Sequence, residues 1–248
     1  MKAMIFAAGL GTRLRPLTET LPKALIPIDG APLLDIAIRR LQQCGVTDIL
    51  VNVHHLADQI VEFLQKNRSS FEVDIHISDE TEKLLDTGGA LKKAAWFFDN
   101  DEPFFVYNVD ILSDIDLQAL YHSHCQQPDC VATLAVTARP STRCLLFDES
   151  RALYGWENRS TQEQKLARSK PAKSLAFAFS GIHVINPAIF CMMPEHDVFS
   201  IIELYLQIAA TERIMAFEHD YRVWLDVGKY ENLPRAAEIL RQIKGSVG

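Results

Sequence analysis

The sequence predicts an α/β fold, a mostly parallel sheet with helices on both faces. Three observations predict it. Short apolar runs alternate with amphipathic stretches of helical period from Lys2 to Val136. Strand and helix follow one another in turn over this stretch, as in units where a helix returns the chain to a parallel strand. The two stretches richest in chemistry, a glycine loop after the first apolar run and Asp110 after another, stand at the carboxyl ends of predicted strands. That is where sheets of this class bind ligands.

Lys2 to Ala7 is a short apolar run that stops at a glycine loop and reads as a buried strand. "PLLDIAIRRLQQCG" (Pro32 to Gly45) has helical spacing, a proline at its start and a glycine at its end. "DILVNV" (Asp48 to Val53) is the next strand, "LADQIVEFLQKN" (Leu56 to Asn67) the next helix, and "EVDIHIS" (Glu72 to Ser78) alternates like a strand. "TGGALKKAAWFF" (Thr87 to Phe98) begins a helix behind two glycines. "PFFVYNVD" (Pro103 to Asp110) is apolar until it ends in Asn-Val-Asp; "DLQALYHSHCQ" follows as a helix, with Asp116 as its N-cap, and "CVATLAV" as a strand.

The rhythm then changes. "RCLLFDESRALYGWEN" (Arg143 to Asn158) predicts a hairpin, and Ser160 to Lys173 a polar, solvated excursion. "SLAFAFSGIHVIN" (Ser174 to Asn186) is a strand pair or one long strand, and "VFSIIELYLQIAA" (Val198 to Ala210) a helix. "RIMAFEHDYRVWLDVG" (Arg213 to Gly228) reads as a second hairpin, and "KYENLPRAAEILRQIKG" (Lys229 to Gly245) as an amphipathic helix despite Pro234. With no repeat and no linker, residues 1–248 are expected to form one domain with a β-rich second half.

A net charge of -7 gives no overall basic field to draw the chain to nucleic acid or anionic lipid. Phosphate binding therefore has to come from a local cluster of basic residues. Five cysteines without pattern point to a reducing compartment. The first residues read as a strand, not a signal peptide, and no apolar run is long enough to cross a membrane, so the cytoplasm is expected. His122, His124, Cys125 and Cys130 invite a zinc reading, but CxxC pairs are absent and Cys130 reads as a buried residue opening a strand.

The chemistry starts in "AAGLGTRLRPLTETLPK" (Ala7 to Lys23). Gly9 and Gly11 let backbone N–H groups approach a phosphate. Arg13 offers a planar fork to phosphate oxygens, and Lys23 a point charge. The stretch fits neither common phosphate loop: Leu14 stands where a dinucleotide fingerprint needs its third glycine, and no Gly-Lys-Ser/Thr follows. Asn52-Val-His54-His55 supplies no acidic residue after the second strand, which further argues against a dinucleotide site. Asp110 and Asp226 each end an apolar strand, where a lone charge is costly. A shared Mg²⁺ explains both, because that ion takes one or two carboxylates plus phosphate oxygens. In "DTGGALKKA", Thr87 or Asp86 caps a helix, and the glycines either present backbone to a base or sugar hydroxyl or pack closely against the sheet.

These stretches, together with "VYNVDIL", "FSGIHVINPAIF" and "WLDVGKYENL", resemble the sugar-1-phosphate nucleotidylyltransferases, in that family's order and over nearly the whole chain apart from Arg139 to Lys173. The similarity is greatest to short members without the β-helix of hexapeptide repeats. It implies a Rossmann-like three-layer sandwich with a mostly parallel mixed central sheet. Residues 1–140 would be a nucleotide-binding half, 141–228 a sugar-binding half and 229–248 a C-terminal helix. It implies transfer of a nucleoside monophosphate from a nucleoside triphosphate to a sugar 1-phosphate, with Mg²⁺ as cofactor and a monomer or homodimer as the working form. Arg13 and Lys23 would be catalytic and Asp110 and Asp226 metal ligands. Ala8, Gly9, Gly11, Thr12 and Gly88 would contact the nucleotide, and Asn108 and Gly181 the sugar.

Three departures stand out. Val109 replaces the small residue of Asn-Gly-Asp. "SKPAK" (Ser169 to Lys173) stands near where many members have Glu-Lys-Pro, leaving Lys170 or Lys173 as substitutes for the sugar-phosphate lysine. Lys229 follows Asp226-Val-Gly228 where Thr is frequent. The alternatives are a cytidylyltransferase acting on phosphocholine or a similar phosphate, and a catalytically silent subunit that senses nucleotide sugars.

Overall fold

The structure, a computed structural model, describes residues 1–220 and 222–246. It divides into two compact units: Met1–Leu84, Val106–Leu117 and Arg222–Gly248 make the first, Leu85–Phe105 and Gln118–Tyr221 the second.

In the first unit, strands Lys2–Phe6, Asp48–Val53 and Asp74–Asp79 lie side by side, all parallel, with Lys2 opposite Asp48 and Asp48 opposite Asp74. Ala3, Met4, Ile5 and Ile49 to Val51 are fully buried, which is why these runs carry no polar alternation. The helices that return the chain between strands are Leu33–Gln43 and Ala57–Lys66. Leu33, Leu34, Ile36, Ala37, Ile38 and Leu41 make the buried stripe of the first, and Ala57, Ile60 and Leu64 that of the second. Each fully buried leucine or isoleucine contributes about 1.5–3 kcal/mol of transfer free energy, so these stripes fix where the strands end and the loops begin.

A small ribbon completes this unit. Ile111–Ser113 pairs antiparallel with Trp224–Asp226, setting Asp226 opposite Ile111. Val227 N–H donates to the carbonyl of Asp110 at 2.8 Å, so the two distant aspartates are held by backbone bonds. The last helix is Leu233–Ser246, preceded by a 3₁₀ turn at Tyr230–Asn232, so it starts later than the periodicity suggested. Pro234 falls in its first turn, where a missing N–H leaves no helical bond unmade.

In the second unit, Cys130–Thr137 is buried at every residue and pairs antiparallel with Leu175–Ile185 and parallel with Arg213–Glu218. Leu175–Ile185 is one long strand, not a pair; its register shifts between Phe179 and His183, where Gly181 takes φ +78°. Arg143–Phe147 and Leu153–Asn158 form the expected hairpin. Two expectations are corrected. Arg213 to Gly228 is not a hairpin, because Arg213–Glu218 runs parallel beside Cys130–Thr137 while Trp224–Asp226 pairs with Ile111–Ser113. The excursion after Asn158 holds a third strand, Glu163–Leu166, antiparallel to Gly155–Asn158. All four of its residues are exposed, so it shows no apolar face to read. Among the described residues no helix is long and apolar enough to cross a membrane.

Candidate active site

The loop after the first strand contains three successive 3₁₀ turns, Thr12–Leu14, Leu17–Glu19 and Lys23–Leu25. Gly11 takes φ +62°, and a Cβ there would lie 2.7 Å from Thr18 Cγ2. Buried Thr18 also donates its hydroxyl to the Gly11 carbonyl at 2.8 Å, folding the arm back on the loop. Gly9 is exposed, and a Cβ there would meet nothing within 4 Å, so its backbone is open to a ligand. Ala8 is buried and Thr12 exposed.

The fold-back brings Lys23 to the aspartates. Lys23 Nζ donates to Asp110 Oδ2, with both side chains 13% exposed. Gly228 marks the centre of the cluster. A Cβ on it would lie 2.7 Å from Asp226 Oδ1, 2.9 Å from Asp110 Oδ2 and 3.0 Å from Arg13 Nη2. The Gly228 N–H donates to Asp226 Oδ1 at 2.6 Å, and Asn232 donates to the Asp226 carbonyl at 2.7 Å. Burial, then the charge of Asp110, pushes the Asp226 carboxyl above its ordinary range; the Gly228 N–H, Lys23 and Arg13 pull the other way. Two carboxylate oxygens aimed at one space, one of them desolvated beside a like charge, suit a divalent cation. Among the described residues no group of three or more His, Cys, Asp or Glu side chains gathers to hold a metal.

Four predicted residues, Arg13, Lys23, Asp110 and Asp226, are therefore brought together from four places in the sequence. Asn108 ends the strand Phe104–Asn108 two residues before Asp110 and is half-buried. Val109 is buried, and its N–H donates to the Phe6 carbonyl at 3.2 Å, so the valine belongs to the core. Lys229 pairs with Glu231 at 3.5 Å and precedes the 3₁₀ turn.

In the second unit, Gly88 and Gly89 are buried in the helix Asp86–Lys93. A Cβ on Gly88 would meet the Phe199 ring at 2.3 Å, and one on Gly89 the Asp197 carbonyl at 1.8 Å. Both glycine N–H groups donate to the Phe199 carbonyl, at 2.9 and 3.3 Å. Of the two readings left open, close packing accounts for this pair. Neither Asp86 nor Thr87 is the N-cap: that position is Leu85, Asp86 accepts from Thr87 N–H at 2.6 Å, and Thr87 Oγ1 accepts from Ile201 N–H at 3.0 Å. His124 is buried against Thr133 at 2.9 Å, Cys130 is buried and Cys125 exposed, an arrangement that makes no zinc set.

Lys170 is exposed, and Lys173 reaches Glu149 at 3.7 Å. Lys165 faces a cavity, 3.5 Å from Glu203 and with its ammonium 5.8 Å from the centre of the Trp156 ring. That cavity, about 450 Å³, is lined by Arg139, Arg143, Trp156, Lys165, Phe179 and Glu203 among others. It escaped sequence reading because Glu163–Leu166 looked like loop.

Residues 2–243 match the family described as nucleotidyl transferase. The chain is 31% identical over 233 residues to a mannose-1-phosphate guanyltransferase of Yarrowia lipolytica, covering 92% of this chain and 61% of that protein. It is 31% identical over 242 residues to an N-acetylmuramate alpha-1-phosphate uridylyltransferase of Neisseria meningitidis, covering 95% of this chain and 96% of that protein. The crystal structure of HddC from Yersinia pseudotuberculosis superposes with a TM-score of 0.74 at 25% identity, over 96% of this chain and 98% of that one. The mixed, mostly parallel sheet with its helices is thus the Rossmann-like fold of the nucleotide-diphospho-sugar transferases, and the chain belongs to the nucleotidyl transferase family.

Proposed function

We propose that the protein transfers a nucleoside monophosphate from a nucleoside triphosphate to a sugar 1-phosphate, releasing pyrophosphate. One observation carries the reading: Asp226 Oδ1, Asp110 Oδ2 and Arg13 Nη2 converge on Gly228, with Lys23 bonded to Asp110. Two acids and two bases at the mouth of a glycine loop suit the handling of reacting phosphates.

The acceptor oxygen is already anionic at neutral pH, so no protein nucleophile is needed. It attacks the α-phosphorus; that P–O bond forms as the bond to the bridging oxygen of the β-phosphate breaks, and pyrophosphate departs with the electron pair. Ala8, Gly9, Gly11 and Thr12 bind the nucleotide. Arg13 holds the triphosphate and the departing pyrophosphate, and Lys23 neutralises the reacting phosphates. Asp110 and Asp226 would hold Mg²⁺, which would supply charge neutralisation to the reacting phosphates. Asn108 and Gly181 face the sugar.

In this reading the whole chain acts as a single nucleotidyltransferase domain, in the cytoplasm, as a monomer or homodimer. The family match over residues 2–243 supports that extent. The test is a pyrophosphate-release screen of UTP, GTP, CTP, dTTP and ATP against a panel of sugar 1-phosphates, with phosphocholine included. Turnover with at least one sugar 1-phosphate is expected. Turnover with phosphocholine alone, or with nothing, overturns the reading.

A further inference from the structure

The stretch Asn52-Val-His54-His55 argues against a dinucleotide site, and the structure gives it another task. Ala7 N–H, at the mouth of the phosphate loop, donates to Asn52 Oδ1 at 2.7 Å. Asn52 Nδ2 in turn donates to Glu80 Oε1 at 2.7 Å. Asn52 is 3% exposed and Glu80 1%. A carboxylate only accepts, so the amide has one workable orientation, with its nitrogen towards Glu80 and its oxygen towards Ala7. Glu80 is itself fixed: its N–H donates to the Val53 carbonyl at 2.8 Å, and its carbonyl accepts from His54 Nδ1 at 2.7 Å. The same segment reaches the far limb of the loop. His55 Nε2 donates to the Thr18 carbonyl at 3.0 Å, and Gln59 Nε2 to the Thr20 carbonyl at 3.0 Å.

We propose that Asn52 is the positioning residue of the phosphate loop, and that Glu80 sets the direction of its amide. Resting on the triphosphate reading above, Asn52 fixes the peptide plane at Ala7, immediately before the Ala8–Gly11 backbone that grips the nucleotide. His55 and Gln59 hold the returning arm, so one segment clamps both limbs. Asn52 touches no substrate; it acts through the Ala7 peptide.

The test exploits the polarity of the pair. Asn52→Asp keeps an acceptor for Ala7 but sets two buried carboxylates against each other. Adding Glu80→Gln reverses the pair, with Gln donating to Asp, and restores both bonds with one negative charge. Glu80→Gln alone keeps an acceptor and is the conservative control. Affinities for UTP and GTP are measured by calorimetry, which needs no turnover, and KM values with whichever nucleotide and sugar 1-phosphate the wild type uses. Thermal melting checks the fold. For N52D the expected result is weakening of the preferred nucleotide by about tenfold or more, with the KM for sugar phosphate unchanged. The double variant returns to within about threefold of wild type, as does E80Q. Should N52D not fold, Asn52→Ser, whose shorter side chain draws the acceptor oxygen back from Ala7 N–H without adding charge, carries the same comparison. Wild-type nucleotide affinity in a folded N52D or N52S variant, an equal loss for both substrates, or a double variant no better than N52D overturns the proposal. Nucleotide binding that follows this pattern in a protein without turnover would sink the transfer reaction and leave Asn52 in its role.

Discussion

Gly228 donates its N–H to Asp226 Oδ1 at 2.6 Å, while its bare Cα leaves the space that Asp110 Oδ2 and Arg13 Nη2 share. A methyl group there would lie 2.7 to 3.0 Å from all three charged groups. Gly228→Ala is therefore expected to push the cluster apart. Displacement of about 1 Å at a reacting centre costs about 10²-fold, so kcat/KM should fall by that order with little change in the melting temperature. Wild-type kinetics in the alanine variant would mean that the cluster is not where phosphates react.

The two glycines of the loop should respond differently. Gly11→Ala forces a side chain into φ +62° and against Thr18. The backbone term alone costs roughly 1–2 kcal/mol, so thermal denaturation should show a clear drop in stability. Gly9→Ala meets nothing within 4 Å and should melt like the wild type while raising the nucleotide KM, because the methyl occupies the open side of the loop.

Acid should destabilise the second unit through two buried histidines. Burial lowers the pKa of His183 to about 3 and that of His124 to about 4, from an ordinary 6.5. Both are depressed in the folded state, so between about 6.5 and 4 the unfolded chain binds more protons, and stability falls as pH falls. Each histidine adds a slope of up to about 1.4 kcal/mol per pH unit in that window. His183→Phe, which also gives up the 2.5 Å bond to the Tyr205 hydroxyl, should lower stability at pH 7 but flatten the acid slope. Urea unfolding at a series of pH values reads both effects; an unchanged slope would contradict the assignment.

Lys23 supplies charge that no neutral residue replaces. Lys23→Ala should cut kcat by roughly 10²–10³-fold, the usual cost of losing one group that stabilises developing charge. Lys23→Arg should recover only part, since a planar fork does not reproduce a point charge beside Asp110. Steady-state pyrophosphate release measures both.

Much of this site was legible in the sequence because its parts stand at strand ends. Gly9, Gly11, Asp110 and Asp226 announce themselves by an abrupt switch from apolar runs to glycine or charge, and Lys23 by its place at the end of the proline-bearing arm that follows the glycines. What was not legible depends on partners far away in the chain. Arg213–Glu218 looked like half a hairpin because its neighbour, Cys130–Thr137, lies over seventy residues earlier. Glu163–Leu166 has no buried face, so its pairing left no pattern, and Lys165 went unnoticed with it. Asn52 and Glu80 are polar residues buried at the end of a strand and just beyond another, and their burial makes sense only once the hydrogen bonds between them and from Ala7 N–H to Asn52 are seen. The helical glycines at 88 and 89 gave an ambiguous signal because a close approach to Phe199 and a close approach to a ligand need the same missing Cβ.

The central claim is that Asp110 and Asp226 share a divalent cation that turnover requires. The most direct measurement is turnover as a function of free Mg²⁺, from excess EDTA upward, in wild type and Asp226→Asn. The account predicts no turnover in excess EDTA, full recovery on adding Mg²⁺, and a Mg²⁺ requirement raised by about tenfold or more in the variant, as expected when one of two carboxylate ligands is lost. Full turnover in excess EDTA, or a variant with the wild-type Mg²⁺ requirement, would contradict it.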